Sequence, residues 1–275
     1  QNEPMLCVQD LSVRFKTKYG SAAAVNHVSF SLKKGRNWAG GGVRLGQKCH
    51  FQEHHTPAAH PARSDHREHP PQRGRAAHQD RAPDVQVRGN QISMIFQDSG
   101  AMMNPTRKVG DVFVEYLRTH EKISKKDAWA KGCGMLEKMN LPSPDNVMKS
   151  YPFQLSGGMR QRVGIAMGMS YQPKLLLADE PTSALDVTTQ AQIVRQMMEL
   201  RDDYGTSIIV VTHNLGIAAY MSDYIVVMKD GKMEDQGTRE YILHETRNAY
   251  TRSLLGAVLP WEVRDMSESK EVILE

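Results

Sequence analysis

Two adjacent carboxylates, Asp179 and Glu180, close the apolar run Leu175-Leu176-Leu177-Ala178 within KLLLADEPTSALD, residues 174–186. An apolar strand that ends in acids delivers them to the sheet edge where α/β proteins take their ligands. There Asp179 can hold Mg²⁺ through water, and Glu180 can orient or deprotonate an attacking water. The same pair also reads as a solvated acidic turn. Upstream, LSGGMRQRV, residues 155–163, sets Ser156, Gly157 and Gly158 directly before a helix-forming run. Backbone N–H groups unobstructed by side chains, at the positive end of a helix dipole, suit a phosphate. A serine cap accounts for Ser156 without any ligand, but not for two glycines. His213 ends the apolar run SIIVVT, where an imidazole can hydrogen-bond a terminal phosphate or merely serve the fold; Gln97 follows ISMIF in the same manner.

Periodicity supplies the elements that must position these groups. MLCVQDLSVRF and AAVNHVSFSL alternate apolar and polar residues around KTKYGS, which predicts two β segments and a turn. ISMIF, KLLLAD and SIIVVT are short apolar runs of the buried-strand type. Residues 108–140, 159–171, 187–204 and 215–222 carry helical spacing, and LPSPDN breaks the first of these stretches. YIVVMKDGKMEDQG reads as a hairpin turning at Asp230-Gly231. Strands alternating with helices imply an α/β fold with a mostly parallel sheet.

Composition bounds the rest. The chain has 275 residues, 40% of them apolar and 24% charged, enough for one large domain or a core with a subdomain. No apolar stretch approaches the roughly 20 residues of a membrane helix. The start, QNEPMLCVQD, lacks a basic region followed by an apolar run, so no signal peptide is expected. Cys7, Cys49 and Cys133 have no CxxC spacing, which argues against a zinc site or a disulfide framework and fits a reducing cytoplasm. Of the net charge of +4, residues 36–87 carry most, with eight Lys/Arg against five Asp/Glu. The charge is therefore local and does not indicate a nucleic-acid partner. These same 52 residues contain no Ile, Met or Tyr, a single Leu, and seven of the eleven histidines. Such a stretch is expected to build no core element and to be disordered or misfolded.

The ordered series Gln97, LSGGM, LLLADEP, SALD and His213 resembles the ATPase subunit of ABC transporters, across nearly all of the chain except residues 36–87. That resemblance implies a P-loop NTPase (RecA-like) core, an N-terminal antiparallel β subdomain and a helical insert subdomain. It implies ATP and Mg²⁺ as ligands, with Gln97 as the Q-loop residue, Asp179 as Walker B and Glu180 as the general base. Ser156, Gly157 and Gly158 would be the signature contacting the partner subunit's ATP, Asp186 would lie in the D-loop, and His213 would be the switch histidine. Phe15 is the aromatic expected to stack on adenine, with Tyr19 as the alternative. ISMIFQD followed by MNP, YPFQLSGGMRQRV, DEPTSALDVTTQAQI and AYTRSLLGAV look like the ATP-binding subunits of oligopeptide and dipeptide importers; nickel importers share much of this wording.

That family places GxxxxGK[ST] shortly after VSFSLKKG, because the phosphates need a nest of N–H groups, a lysine and a hydroxyl on Mg²⁺. This chain has no such match. Gly46, Lys48 and Cys49 occupy the position without the glycines or the hydroxyl, and are not expected to function. The genetic code offers a test. VRLGQKCHF, residues 43–51, written as GTC CGG CTC GGG CAA AAG TGT CAC TTC, becomes Ser-Gly-Ser-Gly-Lys-Ser-Val-Thr when the first base is dropped. In the same shifted frame residues 52–61 permit Lys-Ser-Ile-Ile-Arg-Leu-Leu-Pro-Ile, an amphipathic helix. Residues 66–79 permit a strand and turn. The pattern implies a compensated pair of frameshifts, opening after Gly35 and closing near Val87. The histidines at 50, 54 and 55, set among prolines and arginines, are a poor metal site.

The expected organisation is a single ABC ATPase domain over 1–275. Its parts are an N-terminal β part and core over 1–98, a helical subdomain over 99–158, a core over 159–255 and a tail over 256–275. The expected function is ATP hydrolysis powering an importer of oligopeptides or dipeptides. The alternatives are an ATPase-deficient subunit or pseudogene product lacking a working Walker A, or a nickel importer ATPase. Expected partners are a second ATP-binding subunit, identical or not, transmembrane permease subunits and, indirectly, an extracytoplasmic solute-binding protein. The expected location is the cytoplasmic face of the cell membrane, held peripherally.

Overall fold

The computed structural model describes residues 4–17, 20–33, 38–41, 87–97, 103–183 and 185–257. Strand β1 (Leu6–Thr17) pairs antiparallel with β2 (Gly20–Leu32) as a two-stranded sheet. The pairing shifts register between Val8 and Leu11, where Asp10 and, across from it, His27 both take a φ of 52°. Such shifts bend and twist a ribbon.

The second sheet has six strands: β3 (Trp38–Gly41), β4 (Ile92–Ile95), β5 (Leu175–Asp179), β6 (Ser207–Thr212), β7 (Tyr224–Lys229) and β8 (Lys232–Thr238), in the order β4-β5-β6-β3-β7-β8. Every pairing is parallel except the β7–β8 hairpin. That hairpin turns on Asp230 and Gly231, with φ of 48° and 76°, the two left-handed positions that its type of turn demands. The mostly parallel α/β sheet agrees with expectation.

One expectation fails at residues 38–41. The segment 36–87 was expected to supply no core element, yet Trp38–Gly41 pairs with β6 on one side and β7 on the other. The reason is physical. Counting Leu, Ile and Met measures what side chains can bury, whereas a slot between two parallel strands is satisfied by backbone N–H and C=O groups. Residues 42–86 of the segment lie outside the described residues.

Helices α1 (Val109–His120), α2 (Lys125–Lys138) and α3 (Pro144–Lys149) follow β4 and form the helical insert. Helix α4 (Gly157–Met169) leads into β5, α5 (Val187–Tyr204) joins β5 to β6, α6 (Leu215–Met221) joins β6 to β7, and α7 (Ala249–Ala257) follows β8. The alternation of β5 explains its two-sided burial. Leu176 and Ala178 face Val163, Ile193, Met197 and Ile217, while Leu175 belongs with Val28, Leu32, Val226 and Met228 on the other face. Phe113, Leu117, Leu136 and Met148 of the insert are fully buried and continuous with the first of these clusters, so the insert is packed onto the core. Burying each such side chain contributes about 1.5–3 kcal/mol.

Candidate functional site

Parallel register brings the chemistry to one edge. Ile95 pairs with Ala178, Asp179 with Val211, Gly40 with Val211 and Gly41 with Thr212. The C-terminal ends of β4, β5, β6 and β3 therefore lie side by side, and the residues that follow them are Gln97, Glu180, His213 and the chain leaving Gly41. This is the crevice where open α/β sheets bind ligands.

Glu180 is the centre of the cluster. Its backbone takes a φ of 46°, a left-handed conformation that a non-glycine residue enters at a cost of about 1–2 kcal/mol. The conformation is held on both sides. The Glu180 N–H donates to the Val211 carbonyl at 2.8 Å, and the Glu180 carbonyl accepts from the Ser183 N–H at 3.1 Å. Thus the backbone turns sharply away from the sheet while its last ladder bond is kept. The turn swings the carboxylate toward β6. Glu180 Oε1 accepts from the His213 backbone N–H at 3.1 Å and meets His213 Nδ1 at 2.6 Å. Because a carboxylate can only accept, Nδ1 carries the proton, and neutral His213 presents a lone pair at Nε2. Only the imidazolium donates from Nε2 to a phosphate. The Glu180 side chain is 17% exposed and that of His213 is 69% exposed: the acid is sheltered and the imidazole stands in solvent.

Gln97 is exposed, two residues beyond β4, and its backbone carbonyl accepts from the Ser183 hydroxyl at 3.4 Å. Ser183 thus ties Gln97 to the Glu180 turn; reading the sequence did not single it out, and no spacing signal marks it. Asp179 is half-buried at the end of β5. Asp186 accepts from the Thr189 N–H at 2.8 Å and from its hydroxyl at 2.7 Å, capping α5. These bonds, the backbone one first, hold the Asp186 carboxyl below the usual carboxylate range.

The Ser156-Gly157-Gly158 loop sits at the start of α4. Ser156 Oγ accepts from the Met159 N–H at 3.3 Å, so the capping alternative is realised. The first-turn N–H groups beside it have no carbonyl one turn back within the helix, which leaves them suited to an anion. Phe15 lies on the two-stranded sheet opposite Ala22 and is 61% exposed. Tyr19, Gly46, Lys48 and Cys49 lie outside the described residues.

A seam of aromatics sets the insert against the core. The Tyr171 hydroxyl donates to the Leu117 carbonyl, and its ring lies within 5.9 Å of Tyr116 and 5.3 Å of His120. Burial, with Glu121 and Tyr116 nearby, pushes the Tyr171 phenol up to about 12. Among the described residues no group of three or more His, Cys, Asp or Glu could hold a metal, and no helix is long and apolar enough to cross a membrane.

The profile of the ABC transporter family matches residues 66–183, beyond the position of Gly46, Lys48 and Cys49. The dipeptide transport ATP-binding protein DppD of Bacillus subtilis (strain 168) is 40% identical over 263 residues, spanning 93% of this chain and 77% of the relative. The chain belongs to the ABC transporter ATP-binding family. The oligopeptide transport ATP-binding protein OppD of Haemophilus influenzae is a further relative, 37% identical over 262 residues and covering 93% of this chain and 79% of its own. Among solved structures, the dimeric MJ0796, a bacterial ABC transporter cassette, superposes with a TM-score of 0.68 at 21% identity, covering 86% of this chain and 99% of that one. The fold is thus that of the family's P-loop NTPase core, with Asp179, Glu180 and His213 at one sheet edge and the Ser156-Gly157-Gly158 loop at the start of α4.

Proposed function

We propose that this chain is the ATP-hydrolysing subunit of an importer for oligopeptides or dipeptides. The single observation that carries the chemistry is the shared edge of β3, β4, β5 and β6, with Glu180 and His213 hydrogen-bonded across it. Glu180 Oε1 is held by His213, so Oε2 is the oxygen for an attacking water. As that water's oxygen bonds to the γ-phosphorus, its proton passes to the carboxylate and ADP leaves. His213, once protonated, donates from Nε2 to the γ-phosphate and offsets its charge. Carboxylate and amide oxygens of Asp179 and Gln97 fit a hard divalent cation, and Mg²⁺ bound there would neutralise phosphate charge. Phe15, exposed on its strand, is suited to stack on adenine.

A second ATP-binding subunit, identical or not, would close over the nucleotide, each loop of Ser156, Gly157 and Gly158 serving the other's γ-phosphate. The names of the DppD and OppD relatives support the peptide class; a nickel importer is the alternative solute. The helical subdomain, 99–158, is the part we assign to permease docking, between the 1–98 and 159–255 parts and ahead of the 256–275 tail. The subunit would sit peripherally on the cytoplasmic face, with a solute-binding protein engaged only through the permease and no nucleic-acid partner.

The missing GxxxxGK[ST] favours a second reading, a subunit that completes its partner's site through residues 156–158 without hydrolysing ATP itself. Genomic resequencing across codons 35–88 separates the two. An open frame encoding SGSGKS restores the enzyme, and the present frame leaves the assembly subunit.

A further inference from the structure

Gly158 has a reason to be glycine that involves no nucleotide. A Cβ on it would lie 2.8 Å from Thr189 Cγ2, closer than side-chain carbons pack. Thr189 cannot yield cheaply. It is β-branched and sits in the first turn of α5, so its two Cβ substituents rotate together. Turning Cγ2 away carries Oγ1 with it and breaks the 2.7 Å bond to Asp186 Oδ2. Of three further features at these helix starts, one, the Arg162 bond, crosses between the two helices. A Cβ on Gly157 would be in ordinary contact with Leu185 at 3.5 Å. The Leu185 carbonyl accepts from Gln190 Nε2 at 2.8 Å. One turn further along, Arg162 donates to Gln192 Oε1 at 2.7 Å.

We propose that Thr189 is a positioning residue that makes the Ser156–Gly158 loop and the Asp186 turn one body, its methyl seated on Gly158 and its hydroxyl on Asp186. Glu180 and Asp186 bound the same short connection after β5. Motion of the loop is therefore passed to the turn that carries the general base, within one subunit. That use of the linkage rests on the loop serving a partner's ATP; the linkage itself does not, and it is read without nucleotide.

The test is a pH titration by NMR of the isotope-labelled full chain, following the Asp186 carboxyl carbon and the amides of residues 157–159 and 186–189. Gly158→Ala is expected to shift the Thr189 amide and to raise the Asp186 midpoint toward the ordinary carboxylate value of about 3.9. Thr189→Ser keeps the hydroxyl and removes the methyl, so the double variant Gly158→Ala/Thr189→Ser is expected to restore the low Asp186 midpoint. Thr189→Val keeps the methyl and removes the hydroxyl; it is expected to raise the midpoint with Gly158 unchanged and to shift the amides of residues 157–159, and it serves if Gly158→Ala does not fold. An Asp186 midpoint unmoved by Gly158→Ala, no restoration by Thr189→Ser, or loop amides indifferent to Thr189→Val would overturn the proposal. None of these outcomes depends on ATP hydrolysis, which the recoded chain described below tests separately.

Discussion

Glu180 Oε1 anchors His213, and in the proposed reaction the rest of the carboxylate serves as the base. Replacing it by glutamine keeps an acceptor for the His213 N–H and removes only the basicity. In a chain whose residues 36–87 are recoded one base later, Glu180→Gln is expected to lower kcat by roughly 10²–10⁴ with ATP affinity unchanged, measured by phosphate release and by equilibrium binding. A loss of binding equal to the loss of turnover would mean that the residue holds nucleotide instead. His213→Ala removes a donor to the developing charge and is expected to cost roughly 10²–10³ in kcat. Legibility differed at this scale. Asp179, Glu180, His213 and Gln97 were readable because each ends an apolar strand. That Glu180 and His213 touch was not, since they are separated by α5 and meet only through the β5–β6 register. Thr189 was within reach of sequence reading, because Asp186-x-x-Thr189 has the spacing of a helix cap.

At the scale of elements, the helices declared themselves through their ends. Helix α5 starts on the Asp186 cap and stops at Gly205, which has a φ of 63°, and its reading as 187–204 holds to the residue. Strand β3 was missed because its signal is not hydrophobic: Ala39, Gly40 and Gly41 carry almost no side chain, and what selects them is the parallel slot between β6 and β7. The insert is packed tightly enough to be tested. A Cβ on Gly132 would run into the Phe113 ring, where α2 crosses α1. Gly132→Ala is expected to destabilise the fold by about 1–3 kcal/mol in urea unfolding, despite alanine's better helix propensity. The aromatic seam gives a pH signature. The Tyr171 phenol titrates near 12 in the folded chain, above the ordinary 10. Its stabilisation is therefore present below pH 10 and is lost as pH rises through about 12. Tyr171→Phe is expected to be less stable at neutral pH and to show a shallower alkaline fall in Tm; an unchanged alkaline slope would mean the hydroxyl is solvated.

For the whole molecule, one sheet edge collects three intact contributions and leaves a fourth to the segment beyond Gly41. A P-loop enzyme needs that fourth contribution for affinity, because backbone N–H groups and a lysine carry most of the phosphate charge. If the cassette lacks only the register of its phosphate loop, equilibrium binding of labelled ATP to two purified polypeptides must reveal it. This chain is expected to bind at millimolar affinity or not detectably, and the chain recoded over residues 36–87 is expected to bind at micromolar affinity. Micromolar binding by this chain, or no gain on recoding, would contradict it.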